Sequence, residues 1–277
     1  MKSTRRDVLK MGSLAAAGLM APRMAMAKGP APLKLGIASY TFRKFKPEEL
    51  IGFMKQIKTP YLNLKDVHLP MTPEGAAAKQ AEAYRAAGLK LTGAGTIYFP
   101  KDEDEDIRQK FEYVKSAGIK LIIGSPSHAA LERVESFVKK YDISLAIHNH
   151  GPEDKEWPSP HDILKLIGKM DKRVGCCVDV GHAMRAGDDI PATLREVGPR
   201  LLDIHMKDLA DGKKKESQCD VGDGVMPVRK IFETLIAMKY QGDVDLEYEI
   251  NGDNPLPGVL KSFAFMRKTL GEMGYSA

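Results

Sequence analysis

Five of the seven histidines in this 277-residue chain end short β-prone runs, most of them beside acidic residues. The runs end in His148-Asn149-His150-Gly151, Asp179-Val180-Gly181-His182, His205-Met206-Lys207-Asp208 and Glu247-Tyr248-Glu249, with Lys65-Asp66-Val67-His68 as a fifth. On a strand, residues two apart share a face. His148, Asp179, His205 and Glu247 can therefore all point one way at similar height. Two imidazoles and two carboxylates meeting at a point make a mixed N/O site for one divalent ion. Such a set suits Mn, Co, Zn or Fe(II) better than Ca. His150 shares a face with His148, so spacing alone does not choose the ligand between them. A lone His or Glu at a strand end is more often a satisfied or solvated polar group. Recurrence on four strands is what carries the metal reading. Glu249, His150 and Lys65 stand beside this set as candidate bases, because a carboxylate, an imidazole or a desolvated amine can be tuned towards neutral pKa. His161, after Ser159-Pro160, reads as a helix start and receives no role.

Chemistry spread over several strand ends needs a scaffold that gathers them. From residue 33 on, β-prone runs alternate with amphipathic stretches. Strands are expected at 33–40, 61–67, 89–98, 119–124, 143–148, 175–180, 201–206 and 244–250. Helices follow them, opened by Pro47-Glu48-Glu49, by Thr72-Pro73-Glu74 and by the acidic run Asp102 to Asp106, which suits the helix dipole. Further helices are read at 131–141, 163–170, 190–197, 228–240 and 259–273, and Gly88, Gly118 and Gly198 fall where helices should end. Eight β/α units in about 250 residues predict a single-domain α/β fold, the closed (β/α)8 TIM barrel, whose functional residues lie at the C-terminal strand ends. An open doubly wound sheet is the rival, but no G-x-G-x-x-G follows the first strand. Gly222-Asp223-Gly224 reads as a turn in a polar loop.

Composition excludes several classes. Gly and Pro are scattered, three cysteines cannot frame a disulfide scaffold, and no apolar run after the first thirty residues is long enough to span a membrane. The formal charge of +5 is concentrated at the start. Residues 1–27 carry five basic residues against Asp7, leaving 37 basic and 36 acidic in the rest. Nothing there attracts nucleic acid or an anionic membrane. Thr4-Arg5-Arg6-Asp7-Val8-Leu9-Lys10, the apolar Met11–Ala21 and Ala25-Met26-Ala27 form a charged, apolar and small-x-small series. This resembles a bacterial twin-arginine export signal, with cleavage expected after Ala27, the barrel spanning 28–277 and the protein working in the periplasm. The export machinery is then one expected partner. Oligomerisation remains open.

The motifs around His148–Asp154, Asp179–His182, Leu202–Asp208 and Leu246–Glu249 resemble the xylose isomerase-like barrel superfamily of sugar isomerases, sugar epimerases, keto-inositol dehydratases and endonuclease IV-type repair enzymes. Lys65–Pro70 resembles an exported subgroup called sugar phosphate isomerase/epimerase. The resemblance implies metal ligands at Asp179, His205 and Glu247, and a substrate contact at His182. It departs on the fifth strand, where His148 stands in place of a glutamate. Losing one carboxylate argues against symmetric epimerisation by two glutamates, but a metal that polarises a carbonyl and a base that removes the neighbouring proton remain. The expectation is an exported, metal-dependent isomerase or epimerase acting on a sugar or keto-sugar, with Lys65, His68, His182 and Lys207 orienting hydroxyl groups. The rival is β-elimination from a 3-keto-glycoside, which uses the same machinery. A carbohydrate-binding barrel without catalysis is the alternative from another class, and DNA repair is opposed by export and the near-neutral mature charge.

Overall fold

The β-prone runs close into a barrel because each is apolar on the face that meets the helices. The computed structural model describes residues 29–30 and 32–276. The export signal expected over 1–27 lies outside them. Eight parallel strands surround the axis: β1 (Lys34–Ala38), β2 (Tyr61–Leu64), β3 (Lys90–Phe99), β4 (Leu121–Pro126), β5 (Ser144–His148), β6 (Val174–Asp179), β7 (Leu201–Met206) and β10 (Asp243–Leu246). A two-stranded antiparallel ribbon, β8 (Asp208–Leu209) with β9 (Gln218–Cys219), stands between β7 and β10 in sequence. β1 pairs with both β2 and β10, which closes the barrel.

The helices are α1 (Pro47–Ile57), α2 (Ala76–Ala86), α3 (Asp104–Ser116), α4 (Leu131–Tyr141), α5 (Pro160–Ile167), α6 (Val180–Arg185), α7 (Ile190–Val197), α8 (Val228–Ala237) and α9 (Leu256–Glu272). Their starts follow local chemistry. Pro47 begins α1, and Glu49 turns back to accept the Lys46 N–H at 2.8 Å. Asp104, Glu105 and Asp106 fill the first turn of α3. Gly88 and Gly118 take φ of +87° and +65° after α2 and α3, turning the chain back into the barrel at little steric cost. The core lies between strands and helices, where Ile37, Phe42, Phe99, Phe111, Phe232 and Phe263 are fully buried.

Three expectations change. Strand two stops at Leu64, because the His68 and Leu69 N–H groups both bond the Lys65 carbonyl and wind 65–69 into a turn. Strand six ends at Asp179 and passes straight into α6, so Val180 begins a helix instead of continuing the strand. The last strand stops at Leu246. Beyond it the Tyr248 and Glu249 N–H groups bond Thr41 Oγ1 and Gln218 Oε1, side chains that replace a strand neighbour.

Candidate metal and catalytic site

The strand ends converge as the alternation requires. Register places His148 beside Cys177, Asp179 beside His205, and His205 beside Asp245. His148, Asp179, His205 and Glu247 are buried, and one ligand atom from each lies within 4.8 Å of all the others. His148 Nε2 is 2.9 Å from His205 Nδ1 and 3.7 Å from Asp179 Oδ2, while His205 Nδ1 is 3.3 Å from Glu247 Oε2. The structure brings His148, not His150, into this cluster.

Two devices hold the layer in place. Asn149 grips the backbone of β6 with both ends of its amide: Nδ2 donates to the Asp179 carbonyl at 3.1 Å, and Oδ1 accepts the Asp179 N–H at 2.9 Å. Asp179 Oδ1 caps α6 by accepting the His182 N–H at 2.8 Å. That leaves Asp179 Oδ2 turned to the cluster, buried and without a well-formed hydrogen bond. An anionic oxygen so placed, beside two convergent ring nitrogens and a second carboxylate, fits a divalent cation.

Charge in this layer is tightly matched. Lys207 is buried, with Nζ 3.0 Å from Asp179 Oδ2, 2.9 Å from Glu247 Oε2 and in contact with Glu249 Oε2. Burial would lower its pKa, but the three carboxylates hold it well above the usual lysine value. Burial likewise opposes ionisation of Glu247, and Lys207 and His205 overcome it, keeping the carboxyl well below its ordinary range. His205 runs against its own burial, which favours the neutral ring; Glu247 and Asp203 raise it to about 9. His148 is pushed well below the normal histidine value, first by burial and then by its histidine neighbours.

A cavity of about 260 Å³ opens above the cluster, lined by Tyr40, Lys65, Thr96, Tyr98, His150, His182 and Glu249 together with His148 and Glu247. All three candidate bases reach it. His150 Nδ1 faces Asp154 Oδ2 at 3.3 Å, and its Nε2 faces the Tyr98 hydroxyl at 3.5 Å. Burial lowers its pKa. Lys65 Nζ donates to the Thr96 carbonyl at 2.9 Å and pairs with Asp66 at 3.0 Å. Of the residues expected to orient hydroxyls, Lys65 and His182 line the cavity, and Lys207 is committed to three carboxylates beside it. His68 is not brought there. It is fully buried, with Nε2 3.1 Å from the Phe45 carbonyl, because the 65–69 turn swings it away. Sequence reading missed Tyr40, Thr96 and Tyr98. Tyr98 carried a signal, since it ends the third strand where barrel chemistry gathers.

A second polar layer lies one step down the barrel. Asp203 Oδ2 is 3.4 Å from Cys177 Sγ, 3.5 Å from Asn63 Nδ2 and 3.6 Å from His205 Nε2. Asp245 fills the space left by Gly36, where a Cβ would stand 1.9 Å from Asp245 Oδ1. Cys176 and Cys177 are both free and buried.

The family model described as "Xylose isomerase-like TIM barrel" matches residues 54–269. The inosose dehydratase of Klebsiella pneumoniae is 30% identical over 130 residues, covering 40% of this chain and 44% of that protein. The chain thus spans less than half the length of that curated relative. Among solved structures, a probable 3-DHS dehydratase from Bacillus anthracis superposes with a TM-score of 0.71 at 12% identity, covering 84% of this chain and 98% of that one. The 3-keto-D-glucoside 4-epimerase from E. coli superposes at 0.68 and 17% identity, covering 85% and 99%. At these identities the structures share the fold.

Proposed function

The chain belongs to the xylose isomerase-like TIM barrel family, and from that premise we propose that it is an exported, divalent-metal-dependent enzyme that removes a proton next to the carbonyl of a sugar or keto-sugar. The observation that carries this is the cluster of His148, Asp179, His205 and Glu247, with ligand atoms mutually within 4.8 Å, at the floor of a cavity walled by bases. The four would hold one ion of Mn, Co, Zn or Fe(II). When bound, such an ion polarises a carbonyl oxygen and stabilises negative charge developing there.

The chain's own residues supply the rest. His150 is the best-placed base: Asp154 Oδ2 stands 3.3 Å from Nδ1, and Nε2 is turned to Tyr98 on the cavity wall. Glu249 and Lys65 stand on other walls and can hold or return a proton, while His182, Tyr40 and Tyr98 contact hydroxyl groups. Lys207 keeps Glu247 ionised and pairs with Glu249. The relatives named above are dehydratases and an epimerase, and both reaction types can begin with loss of a proton beside a carbonyl. Isomerisation or epimerisation is the first reading. β-Elimination is the second, favoured by His148 in place of a strand-five carboxylate, which leaves unlike bases instead of a matched pair.

The test is proton NMR of the purified, metal-loaded protein in D2O with free sugars and 3-keto-glycosides. Deuterium entering beside the carbonyl with the skeleton intact identifies an isomerase or epimerase. Release of the aglycone identifies a lyase. No exchange despite bound metal overturns catalysis in favour of a carbohydrate-binding barrel. The export assignment has its own test: replacing Arg5 and Arg6 by Lys should leave the protein in the cytoplasm, whereas unchanged periplasmic recovery would remove the twin-arginine reading.

A further inference from the structure

Beside the cavity over the metal cluster lies a second chamber of about 280 Å³, whose lining includes Gly181, Arg185, Leu209, Lys215, Ser217 and Ile250. His182 and Glu249 line both chambers, so the two meet there. Small-molecule sites usually enclose roughly 300–1,000 Å³. Either chamber alone falls just under that range, and the two together fall inside it.

The second chamber is built in advance of any ligand. One of its walls belongs to the segment between β7 and α8, which a single buried carboxylate pins down. Asp208 accepts the N–H groups of Leu209 and Met226 at 2.9 Å, of Gly222 at 2.8 Å and of Gly224 at 3.2 Å. Gly224 is required there, because a Cβ would stand 2.2 Å from Asp208 Oδ1. Gln218 then ties this wall to the catalytic strand, donating to the Glu247 carbonyl at 2.6 Å and accepting the Glu249 N–H at 2.8 Å. A rigid wall spares a ligand the entropy of ordering it.

The chemistry of the wall selects a neutral, hydroxylated occupant. Its buried cations are already matched: Arg185 with Glu153, and Lys207 with Asp179, Glu247 and Glu249. Lys215 stands next to Glu216, which also lines the chamber. Arg185 lines the chamber with its side chain 5% exposed and its Nη1 3.1 Å from His182 Nδ1. Leu209 and Ile250 offer apolar surface for the face of a ring.

Resting on the function proposed above, we infer that the substrate is a glycoside of at least two rings. The reacting ring occupies the cavity over the cluster, and an uncharged second sugar ring fills the adjoining chamber. The bond between the rings passes between His182 and Glu249.

Steady-state kinetics of the metal-loaded protein on 3-ketoglucose and on the 3-keto derivatives of trehalose, maltose and cellobiose tests this. At least one two-ring substrate should show a KM about tenfold or more below that of 3-ketoglucose. Ile250→Trp, which fills the second chamber, should bring that ratio close to one. Hydrogen exchange gives a reading independent of the variant: the best two-ring sugar should slow exchange across residues 209–218, and glucose should not. Equal KM values with no protection overturn the inference, as does a preference for a phosphorylated single ring. Turnover of none of these sugars by a protein that holds its metal is a different result, and overturns the proposed function itself.

Discussion

Strands β6 and β7, and β10 with the residue just after it, each carry two inward polar residues two positions apart: Cys177 and Asp179, Asp203 and His205, Asp245 and Glu247. The upper member of each pair faces the mouth of the barrel and the lower one its closed interior. Upper carboxyls are driven to ionise, since His182 and Lys207 outweigh burial at Asp179 and Lys207 and His205 outweigh it at Glu247. Lower carboxyls go the other way. Burial, with Asp243 adding to it, raises Asp203 to about 7, and burial with Asp203 and Asp243 drives Asp245 well above the normal aspartate range. Two residues along a strand, about 6.6 Å, therefore reverse the preferred state of the same functional group. The upper layer is built to present anions to a cation, while in the lower layer burial pushes the carboxyls towards their neutral form.

The strongest way to break this contrast is to remove the upper layer's ammonium. Lys207→Met leaves Asp179 and Glu247 buried without their cation, and breaking a buried pair in this way costs about 3–5 kcal/mol. Urea unfolding of the metal-free variant should show that loss, and added Mn or Zn should restore much of it. A variant as stable as the wild type without metal would mean the carboxylates are not held as anions. Next in size is Glu247→Gln, which removes a proposed ligand. Outer-shell partners of metal ligands alone are worth about 10–100-fold in affinity, so this change should cost more than about 100-fold in a chelator competition, with turnover falling alongside. Unchanged metal content and activity would sink the site as drawn. Asp203→Asn probes the link between layers. His205 Nε2 is buried without a hydrogen-bond partner, and Asp203 Oδ2 lies 3.6 Å from it. Replacing that carboxyl by an amide should weaken metal binding by about tenfold, and affinity equal to wild type would separate the two layers.

The upper layer was legible in the sequence and the lower one was not, for a physical reason. Strand alternation and strand-end position single out Asp179, His205 and Glu247 and narrow the fourth member to His148 or His150, because polar residues rarely recur at four apolar strand ends without a shared task. Asp203 and Asp245 obey the same alternation, yet nothing local distinguishes a carboxyl kept neutral in a barrel from one that is exposed. That depends on Gly36 leaving room for Asp245, a contact between residues 209 positions apart. His68 failed for a related reason. Extending the second strand to Val67 kept its side chain in line with the site, whereas the turn bonded to the Lys65 carbonyl rotates it into the core. Helix α6 was missed because Asp179 serves as strand end, cluster member and helix cap at once, and only the first two functions follow from spacing. Barrel closure, strand order and most helices followed from the period of the pattern alone.

The smallest effect tests the lower layer by itself. Asp243 stands at the start of β10, largely buried, with Oδ1 unpartnered, and burial raises its pKa to about 6. Its unfolded value is about 3.9. A carboxyl whose folded pKa is the higher of the two adds stability fully below the unfolded value, and loses it as pH rises through the folded one. Wild-type stability should therefore fall relative to Asp243→Asn between about pH 4 and 7, whatever the other groups contribute. At pH 7.5 the variant should be the more stable by about 1 kcal/mol, since the amide avoids burying a charge while the partial exposure of the site limits the gain. Urea unfolding at pH 4.5 and 7.5 reads the difference. A variant less stable at pH 7.5 would show that the Asp243 carboxylate is favourably paired, and that opposed charge extends from the mouth of the barrel to its floor.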